Sequence, residues 1–312
     1  MRYRTFGKTG IKVSPYALGA MMFGAVGNPD HEDSVRIIHK ALEAGINFID
    51  TADAYSHGES EEIVGKAITS RRDSVVLATK FGLPMDPDDP NQRGASRRWI
   101  RRAVEDSLRR LGTDYIDLYQ MHVLDPGTDL EETISALTDL VRAGKIRAFG
   151  DSRLPASGIV EAQWIAERYG MGVLVWSPLA QGLLTGRVRK GQPTDLRRTR
   201  MFKHMRDERR LDAVEQIIPV AEQAGLKLTH MAVAFAISHP GVTSAIIGPR
   251  TMEHLDDLLA GADVALSNDV LEQLDAIVPP GTDVGRLDMA YNPPTILNPA
   301  LRRREAAGRS AA

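Results

Sequence analysis

The sequence contains no cysteine, and this absence excludes several kinds of chemistry at once. Disulfide bonds, thiolate catalysis and cysteine-ligated zinc or iron–sulfur sites all need a residue that the 312-residue chain does not supply. Long apolar runs are also absent, because none reaches the about 18–20 residues of a membrane-spanning helix. The first seven residues lack the apolar stretch of a secretory signal peptide. We therefore expect a cytoplasmic protein with no membrane partner.

Neither sign of charge is in excess. The chain has 39 Lys and Arg against 41 Asp and Glu, a formal net charge of -2, so nucleic acid is not expected as a partner. The 43% of hydrophobic residues and 26% of charged residues are typical of an ordinary globular protein. The length allows either two average domains or one α/β barrel, a fold that commonly takes about 200 to over 400 residues.

Several common active-site motifs are missing. No G-x-G-x-x-G follows an apolar run, which argues against a Rossmann domain. Gly65-Lys66 resembles the end of a P-loop, but Ala67 stands where Ser or Thr is needed. The sequence also lacks H-E-x-x-H and G-x-S-x-G, the motifs of zinc proteases and of α/β hydrolases.

Short apolar segments alternate with longer segments of helical period along most of the chain. This alternation predicts βα units that form a parallel sheet. A hairpin is predicted first, with residues 3–6 and 11–14 on either side of a glycine-bearing loop. The predicted strands are residues 17–23, the stretch ending at Asp50, and residues 75–80, 115–122, 146–152, 172–177 and 244–248. A (β/α)8 barrel needs eight strands, so these seven fall one unit short.

Helix boundaries are predicted from capping residues. Ser96 is expected to cap a helix that ends at Gly112, a favourable position for glycine. Thr128 and Glu131 have the spacing of a capping box at the start of the next helix. The stretch beyond about residue 279 is rich in Pro, Gly and Arg and is predicted to be irregular.

Four ionisable residues follow the ends of predicted strands: Asp50, Tyr55, Lys80 and His122. Each has a simple structural explanation on its own, as a turn cap, a half-buried aromatic, a surface ammonium or a satisfied histidine. Neighbouring parallel strands end close together, however, and would bring the four side chains into one space. An ammonium beside a phenol lowers its pKa from about 10, a carboxylate can hold the ammonium, and a histidine can donate to a carbonyl oxygen. Such a site protonates an alkoxide but needs a separate source of electrons.

Later segments suggest that source. Gly248-Pro249-Arg250 ends a strand and opens a helix, where a phosphate could bind the helix N-terminus and the guanidinium. Trp176 ends another strand and could stack on a flat ring. Residues 187–210 form a basic stretch that could cover a polyphosphate. A plain turn, a core tryptophan and a solvated loop are the corresponding structural alternatives.

Taken together, these motifs resemble the aldo-keto reductases, in particular a bacterial branch similar to potassium-channel β subunits. The resemblance extends from Tyr3 to about Ala276. The matching segments are residues 18–24 (LGAMMFG), 50–55 (DTADAY), 78–80 (ATK), 114–122 (DYIDLYQMH), 144–147 (GKIR), 176–180 (WSPLA) and 248–250 (GPR). The family implies one TIM-type (β/α)8 barrel domain over residues 1–312, with NADPH lying across its C-terminal mouth.

The resemblance also implies roles for individual residues. Asp50, Tyr55, Lys80 and His122 match the catalytic tetrad, with Tyr55 as the proton donor. Ser152 matches a contact to the nicotinamide carboxamide, and Trp176 matches the aromatic under the ring. The remaining cofactor contacts that the family implies are Ser177, Leu179, Gly182, Arg187 and Arg197 over the pyrophosphate, Gly248 and Arg250 at the 2′-phosphate, and His254 and Asp257 near the adenine.

The chain departs from the family in two places. Arg153 stands where asparagine is usual, and residues 166–172 pass directly into the segment that matches the seventh strand. The sixth βα unit is therefore missing, together with a glutamine that helps to hold the carboxamide. A barrel that loses a strand must either expose two edges or change its tilt and stagger. We expect either that the flanking strands pair or that a gap opens beside the nicotinamide pocket.

Two functions follow from these observations. The first is an NADPH-dependent reductase that converts a small aldehyde or ketone to an alcohol. The second is a non-catalytic NADP-binding or interaction protein that kept the tetrad and lost part of its scaffold. The surviving tetrad favours the first function and the missing unit favours the second. The sequence leaves the substrate, the oligomeric state and the level of activity open.

Overall fold

A computed structural model of the chain describes residues 1–125, 127–152, 171–194, 199, 202–280, 282, 284 and 285. Four sequence predictions lie outside these residues. They are the junction over residues 166–172 except for its last two residues, the substitution at Arg153, the cofactor contact of Arg197, and most of the irregular tail beyond residue 279.

Strands and helices alternate along the described chain as the periodicity predicts. The strands are β1 (Arg4–Thr5), β2 (Lys12–Val13), β3 (Tyr16–Gly19), β4 (Phe48–Asp50), β5 (Val76–Phe81), β6 (Ile116–Met121), β7 (Ile146–Asp151), β8 (Leu174–Trp176) and β9 (Ser244–Ile247). The α-helices are α1 (His31–Glu43), α2 (Glu59–Ile68), α3 (Arg97–Leu111), α4 (Leu130–Arg142), α5 (Glu208–Gln223), α6 (Leu228–Ser238), α7 (Met252–Ala260) and α8 (Asn268–Ile277).

Seven of these strands form one curled parallel sheet in the order β7-β6-β5-β4-β3-β9-β8. The other two, β1 and β2, pair antiparallel as the predicted N-terminal hairpin. Backbone pairing places Asp50 of β4 beside Ala78 of β5, and Lys80 of β5 beside Gln120 of β6. The α/β fold, a TIM-type barrel reduced to seven strands, is therefore confirmed.

Alternate residues of each strand face two separate apolar layers. One layer lies between the sheet and the helices and includes Ile49 and Leu77. The other lies inside the curl of the sheet and includes Phe48, Ala78 and Leu118. Since side chains alternate along a strand, the residue two positions after each of Phe48, Ala78 and Leu118 also points inward, at the end of its strand. This parity directs Asp50, Lys80 and Gln120 toward the mouth of the curled sheet.

Among the described residues the sheet is not closed into a full barrel. The strands β7 and β8 are its two ends, and no pairing joins them within the described ranges. The flanking strands therefore do not pair within the described ranges, and the gap beside the nicotinamide pocket stays a prediction. Phe149 of β7 and Trp176 of β8 are each 38% exposed. Elsewhere the inner strands are almost fully buried, so the exposure is concentrated at the two ends.

Two local predictions need adjustment. The first parallel strand ends at Gly19, because the chain turns at Ala20, whose carbonyl accepts from the Phe23 N–H at 3.0 Å. Ser96 caps α3 as predicted, but α4 is capped by Asp129, whose carboxylate accepts from Glu131 N at 2.7 Å. Thr128 instead donates its hydroxyl to Asp125.

None of the helices in the described residues is both long and apolar enough to cross a membrane. The same residues contain no cluster of three or more histidine and acidic side chains that could hold a metal ion.

Phe6 closes the lower end of the curled sheet. Its ring meets the Phe48 ring edge to face at 5.8 Å, inside the layer enclosed by the strands. We expect Phe6→Ala to lower the free energy of unfolding by about 3–5 kcal/mol, because it removes a large buried side chain and leaves a cavity. Urea unfolding measures this difference. Phe235→Ala, at an exposed position of α6, is the matched control and should change stability little. Equal losses in the two variants would contradict the packing role of Phe6 inside the sheet.

Candidate active site

The segment after β4 is fixed to the neighbouring strands by its backbone. The N–H of Thr51 donates to the Ala78 carbonyl at 2.9 Å, and the N–H of Asp53 donates to the Lys80 carbonyl at 3.1 Å. The Ser60 hydroxyl, in the first turn of α2, lies 2.9 Å from the Thr51 hydroxyl. These contacts hold the segment against β5, and Tyr55 follows directly from it.

Lys80 is the centre of the site. Its ammonium is 3% exposed and donates to Asp50 Oδ1 at 2.5 Å, to the Thr51 carbonyl at 2.8 Å and to the Tyr55 oxygen at 3.2 Å. An ammonium has three donors, so all of them are used. Burial by itself would lower the pKa of Lys80, but the charge of Asp50 and the Tyr55 oxygen outweigh it and raise this pKa. The lysine is therefore held as a cation.

Gln120 completes the surroundings of Asp50. Its side-chain amide donates to Asp50 Oδ2 at 3.1 Å, so both carboxylate oxygens have a donor. Gln120 was not among the site residues predicted from the sequence, because its side-chain amide does not titrate and because it lies inside a predicted strand. A signal was available, since Gln120 is a polar residue two positions from Leu118 on the inward face of β6.

His122 approaches the same space from β6. It is almost fully buried, and its backbone N–H donates to the Phe81 carbonyl at 2.8 Å. Its ring packs edge to face against Tyr55, with 5.6 Å between the ring centroids. The structure thus brings together all four residues that the sequence placed at strand ends.

The turn after Tyr55 is strained. Ser56 and His57 have φ values of 48° and 56°, in the left-handed region that non-glycine residues rarely adopt. The chain then enters α2, where the Glu59 carboxylate accepts from the Ala25 N–H at 2.7 Å and contacts His31 at 2.5 Å. These bonds lower the pKa of Glu59. The loop between β3 and α1 is thereby attached beside Tyr55.

The candidate cofactor residues lie along the same rim, mostly on the end strands. Ser152 follows β7, and its N–H donates to the Met121 carbonyl at 2.9 Å. Trp176 ends β8, and a 3₁₀ segment, Ala180–Thr185, follows it with Gly182 at a φ of 114°. Ser177 and Leu179 connect the strand to this segment, and Arg187 lies just after it. A wide, half-exposed surface results, to which these residues contribute from one side.

Positive charge converges at the start of α7. The pKa of His254 is lowered first by burial and then by the nearby cations Arg250 and Arg187. The backbone around Gly248 leaves open space where a side chain would otherwise stand. Two cations, an open backbone and a helix N-terminus are the groups that bind phosphate, so these residues fit a dinucleotide phosphate.

Asp257 has a different environment from its neighbours. Its carboxylate accepts from the Lys227 ammonium at 2.6 Å and from the Thr229 hydroxyl at 3.2 Å. Burial alone would raise the pKa of Asp257, but these two bonds outweigh it and lower the pKa. The side chain is thus engaged in joining α6 to α7, and an adenine contact by Asp257 stays a prediction.

The family model described as ‘Aldo/keto reductase family’ matches residues 16–166 and 153–279 of the chain. The chain belongs to the aldo/keto reductase family. The two matched segments of this family overlap at residues 153–166, next to the junction at residues 166–172 where the sequence predicts that the sixth βα unit is missing.

Three similar proteins illustrate the range of the family. "Uncharacterized oxidoreductase YrpG" of Bacillus subtilis is 36% identical over 319 positions, which cover 89% of this chain and 96% of the relative. "Probable voltage-gated potassium channel subunit beta" of Oryza sativa is 30% identical, covering 89% and 97%. "Versiconal hemiacetal acetate reductase" of Aspergillus parasiticus is 31% identical, covering 88% and 94%. The alignment with YrpG has 319 positions, more than the 312 residues of this chain, although it includes only 89% of them. Some positions must therefore be gaps in this chain, so YrpG has residues that this aldo/keto reductase lacks.

Replacing Gln120 tests how much Asp50 depends on its second donor. In Gln120→Leu the Oδ2 atom of a buried carboxylate loses its hydrogen bond, and we expect a loss of about 1–3 kcal/mol in the free energy of unfolding. Urea unfolding of the purified variant measures this loss. Gln192→Leu, at an exposed position, is the control. If both variants unfold at the same urea concentration as the parent, Gln120 does not support Asp50.

Proposed function

We propose that this aldo/keto reductase is an NADPH-dependent enzyme that reduces a small aldehyde or ketone to the alcohol. The observation that carries the proposal is the buried Lys80 ammonium, which contacts Asp50 and Tyr55 together. It joins a charge-balancing carboxylate to a phenol that can give up a proton. Membership of the family and a relative named as a reductase support the same reaction class.

The residues of the site divide the proton chemistry among them. A nicotinamide held beside Ser152 and Trp176 would supply the hydride that the carbonyl carbon gains. Tyr55 gives its hydroxyl proton to the carbonyl oxygen, and Lys80 stabilises the phenolate that remains. Asp50 keeps Lys80 in place and balances its charge. His122, packed against Tyr55, is suited to donate a hydrogen bond to the oxygen as it gains negative charge.

The cofactor contacts are proposed from the family and from the positions of the residues. Arg250 and Arg187 are assigned to the phosphates, with Gly248 and His254 beside them. Trp176 and Ser152 are assigned to the nicotinamide. The preference for NADPH over NADH rests on the Arg250 guanidinium, which can hold a 2′-phosphate by paired hydrogen bonds. The loop containing Met21 and Val26, both exposed, is attached beside Tyr55 and is our candidate for substrate contact.

An interaction protein is the second candidate, and one observation favours it. In the described part of the chain β7 and β8 do not pair, and Phe149 and Trp176 on these strands are partly exposed. A relative is named as a potassium channel subunit. Under this alternative the chain binds NADP but does not turn over a carbonyl substrate. Under both candidates we propose a cytoplasmic location, as the sequence predicts.

Tyr55→Phe removes the proposed proton donor. We expect kcat/KM for a nitrobenzaldehyde to fall by about 10²–10⁴-fold, because general acid catalysis is lost, while NADPH affinity changes little. Cofactor fluorescence measures binding, and loss of NADPH absorbance measures turnover. Tyr3→Phe, at an exposed tyrosine, is the control. Full activity in Tyr55→Phe would refute the assignment, and binding without turnover in the parent would favour the interaction protein.

Arg250→Ala tests the cofactor preference. We expect NADPH affinity to fall about 10–100-fold, since a charge-assisted pair of hydrogen bonds is lost, and NADH affinity to change far less. Fluorescence titration with each cofactor gives the two dissociation constants. Arg142→Ala, at an exposed arginine ending α4, should alter neither. Equal losses for NADPH and NADH would show that Arg250 does not contact the 2′-phosphate.

A further inference from the structure

Asp53 is a buried acid directly behind the candidate active site. It lies between Thr51 and Tyr55, and only 1% of its surface is exposed. Its backbone N–H is fixed to the Lys80 carbonyl, but neither carboxyl oxygen has a hydrogen-bond partner among the described residues. A buried carboxylate without donors is costly, so the protonation state of Asp53 requires a physical explanation.

The nearest acidic neighbour is Glu61 of α2, which is completely buried and already satisfied. Its carboxylate accepts from the Thr79 hydroxyl at 2.6 Å and pairs with the Arg110 guanidinium at 2.6 Å. Arg110 in turn packs beneath Gly58, where an added Cβ would stand 2.7 Å from its Cδ. The one buried cation on this side of the loop is therefore committed to Glu61 within the described residues.

A second unpartnered group faces the same region from β6. The Tyr119 hydroxyl is fully buried, and no partner for it is present in the part of the chain that the structure describes. Burial first, and then the charges of Asp53 and Glu61, raise the pKa of Tyr119 well above its ordinary value; Asp106 adds to this effect and Arg110 opposes it. A neutral phenol and a neutral acid can occupy such a region together, whereas two anions beside Glu61 cannot.

The electrostatic surroundings of Asp53 favour the neutral acid. Burial is the largest effect and the charge of Glu61 is the next, and both raise the pKa of Asp53 well above its ordinary value. Three groups lower the pKa of Asp53 but do not outweigh burial and Glu61: the Ala54 N–H, Arg110 and Lys80. Ala54 is close enough to contribute but does not reach hydrogen-bond geometry with either oxygen.

We propose that Asp53 is a positioning residue, held as an un-ionised acid that keeps residues 51–58 seated against β5, and that its ionisation beside Glu61 loosens this segment. The proposal rests on the proposed function, since it concerns the placement of Tyr55. An ionised Asp53 would put a second carboxylate in a buried space whose cation is already paired. Relief requires movement of the segment toward water, and Tyr55 would move with it.

The sign of the pH dependence follows from linkage. An acid whose pKa is raised on folding binds its proton more tightly in the folded chain than in the unfolded chain. The stability associated with Asp53 is therefore fully present below the unfolded pKa of about 3.9 and is lost progressively as pH rises toward the folded pKa. At neutral pH a neutral isostere should be more stable than the parent.

Asp53→Asn tests this inference, with Asp114→Asn at an exposed turn as the matched control. Between pH 5 and 7 we expect the ratio of unfolding constants, parent over Asp53→Asn, to rise about tenfold per pH unit, the value for one proton. Asp114→Asn should follow the parent. A ratio that does not change with pH, or an Asp53→Asn variant that is less stable at every pH, would overturn the proposal.

Hydrogen exchange of residues 51–58 tests the positioning role separately. In the parent we expect the protection factor of this segment to fall as pH rises, and in Asp53→Asn to stay constant. Identical profiles would overturn the positioning role. Infrared spectra of the parent, with Asp53→Asn as the difference reference, should show a protonated carboxyl band at pH 7; its absence would also overturn the proposal. None of these measurements requires cofactor or turnover, so an inactive parent would refute only the proposed function.

Discussion

The buried ammonium of Lys80 is the constraint on which the site depends. A cation placed inside a protein is stable only when its charge and its donors are satisfied, and breaking such an arrangement costs several kcal/mol. Here the partners are Asp50, the Thr51 carbonyl and the Tyr55 oxygen. Because β4 and β5 are adjacent and in register, the same pairing that forms the sheet also delivers the carboxylate to the ammonium. The geometry of the proton donor thus follows from the central part of the sheet.

The missing βα unit affects a different part of the molecule. The four proton-handling residues lie at or just after the ends of β4, β5 and β6, in the middle of the sheet. Ser152 follows β7 and Trp176 ends β8, the two outermost strands of the described sheet. Removing a strand between β7 and β8 therefore leaves the hydrogen bonds around Lys80 intact. The candidate nicotinamide contacts, in contrast, lose the element that would stand between them. Any effect of the deletion should accordingly concern cofactor placement before it concerns proton transfer.

The sequence was sufficient for the parts of the fold that depend on periodicity and on strand ends. Seven strands, the N-terminal hairpin and the convergence of Asp50, Lys80 and His122 are examples, since alternation and parallel order determine them. Other features depend on three-dimensional neighbours and were not predicted. Gln120 became visible only through its contact with Asp50, and the cap of α4 passed to Asp129 because Thr128 bonds to Asp125. The neutral state favoured for Asp53 depends on its proximity to Glu61, and only the folded structure shows that the two side chains are close.

A double-mutant cycle on Asp50 and Lys80 tests the central constraint most directly. The free energies of unfolding of the parent, Asp50→Asn, Lys80→Met and the double variant would be measured by urea denaturation at one pH. The account predicts that each single change leaves an uncompensated buried group, so the double variant is more stable than additivity allows by about 1–3 kcal/mol. Strict additivity of the two changes would show that the pair does not hold the site together.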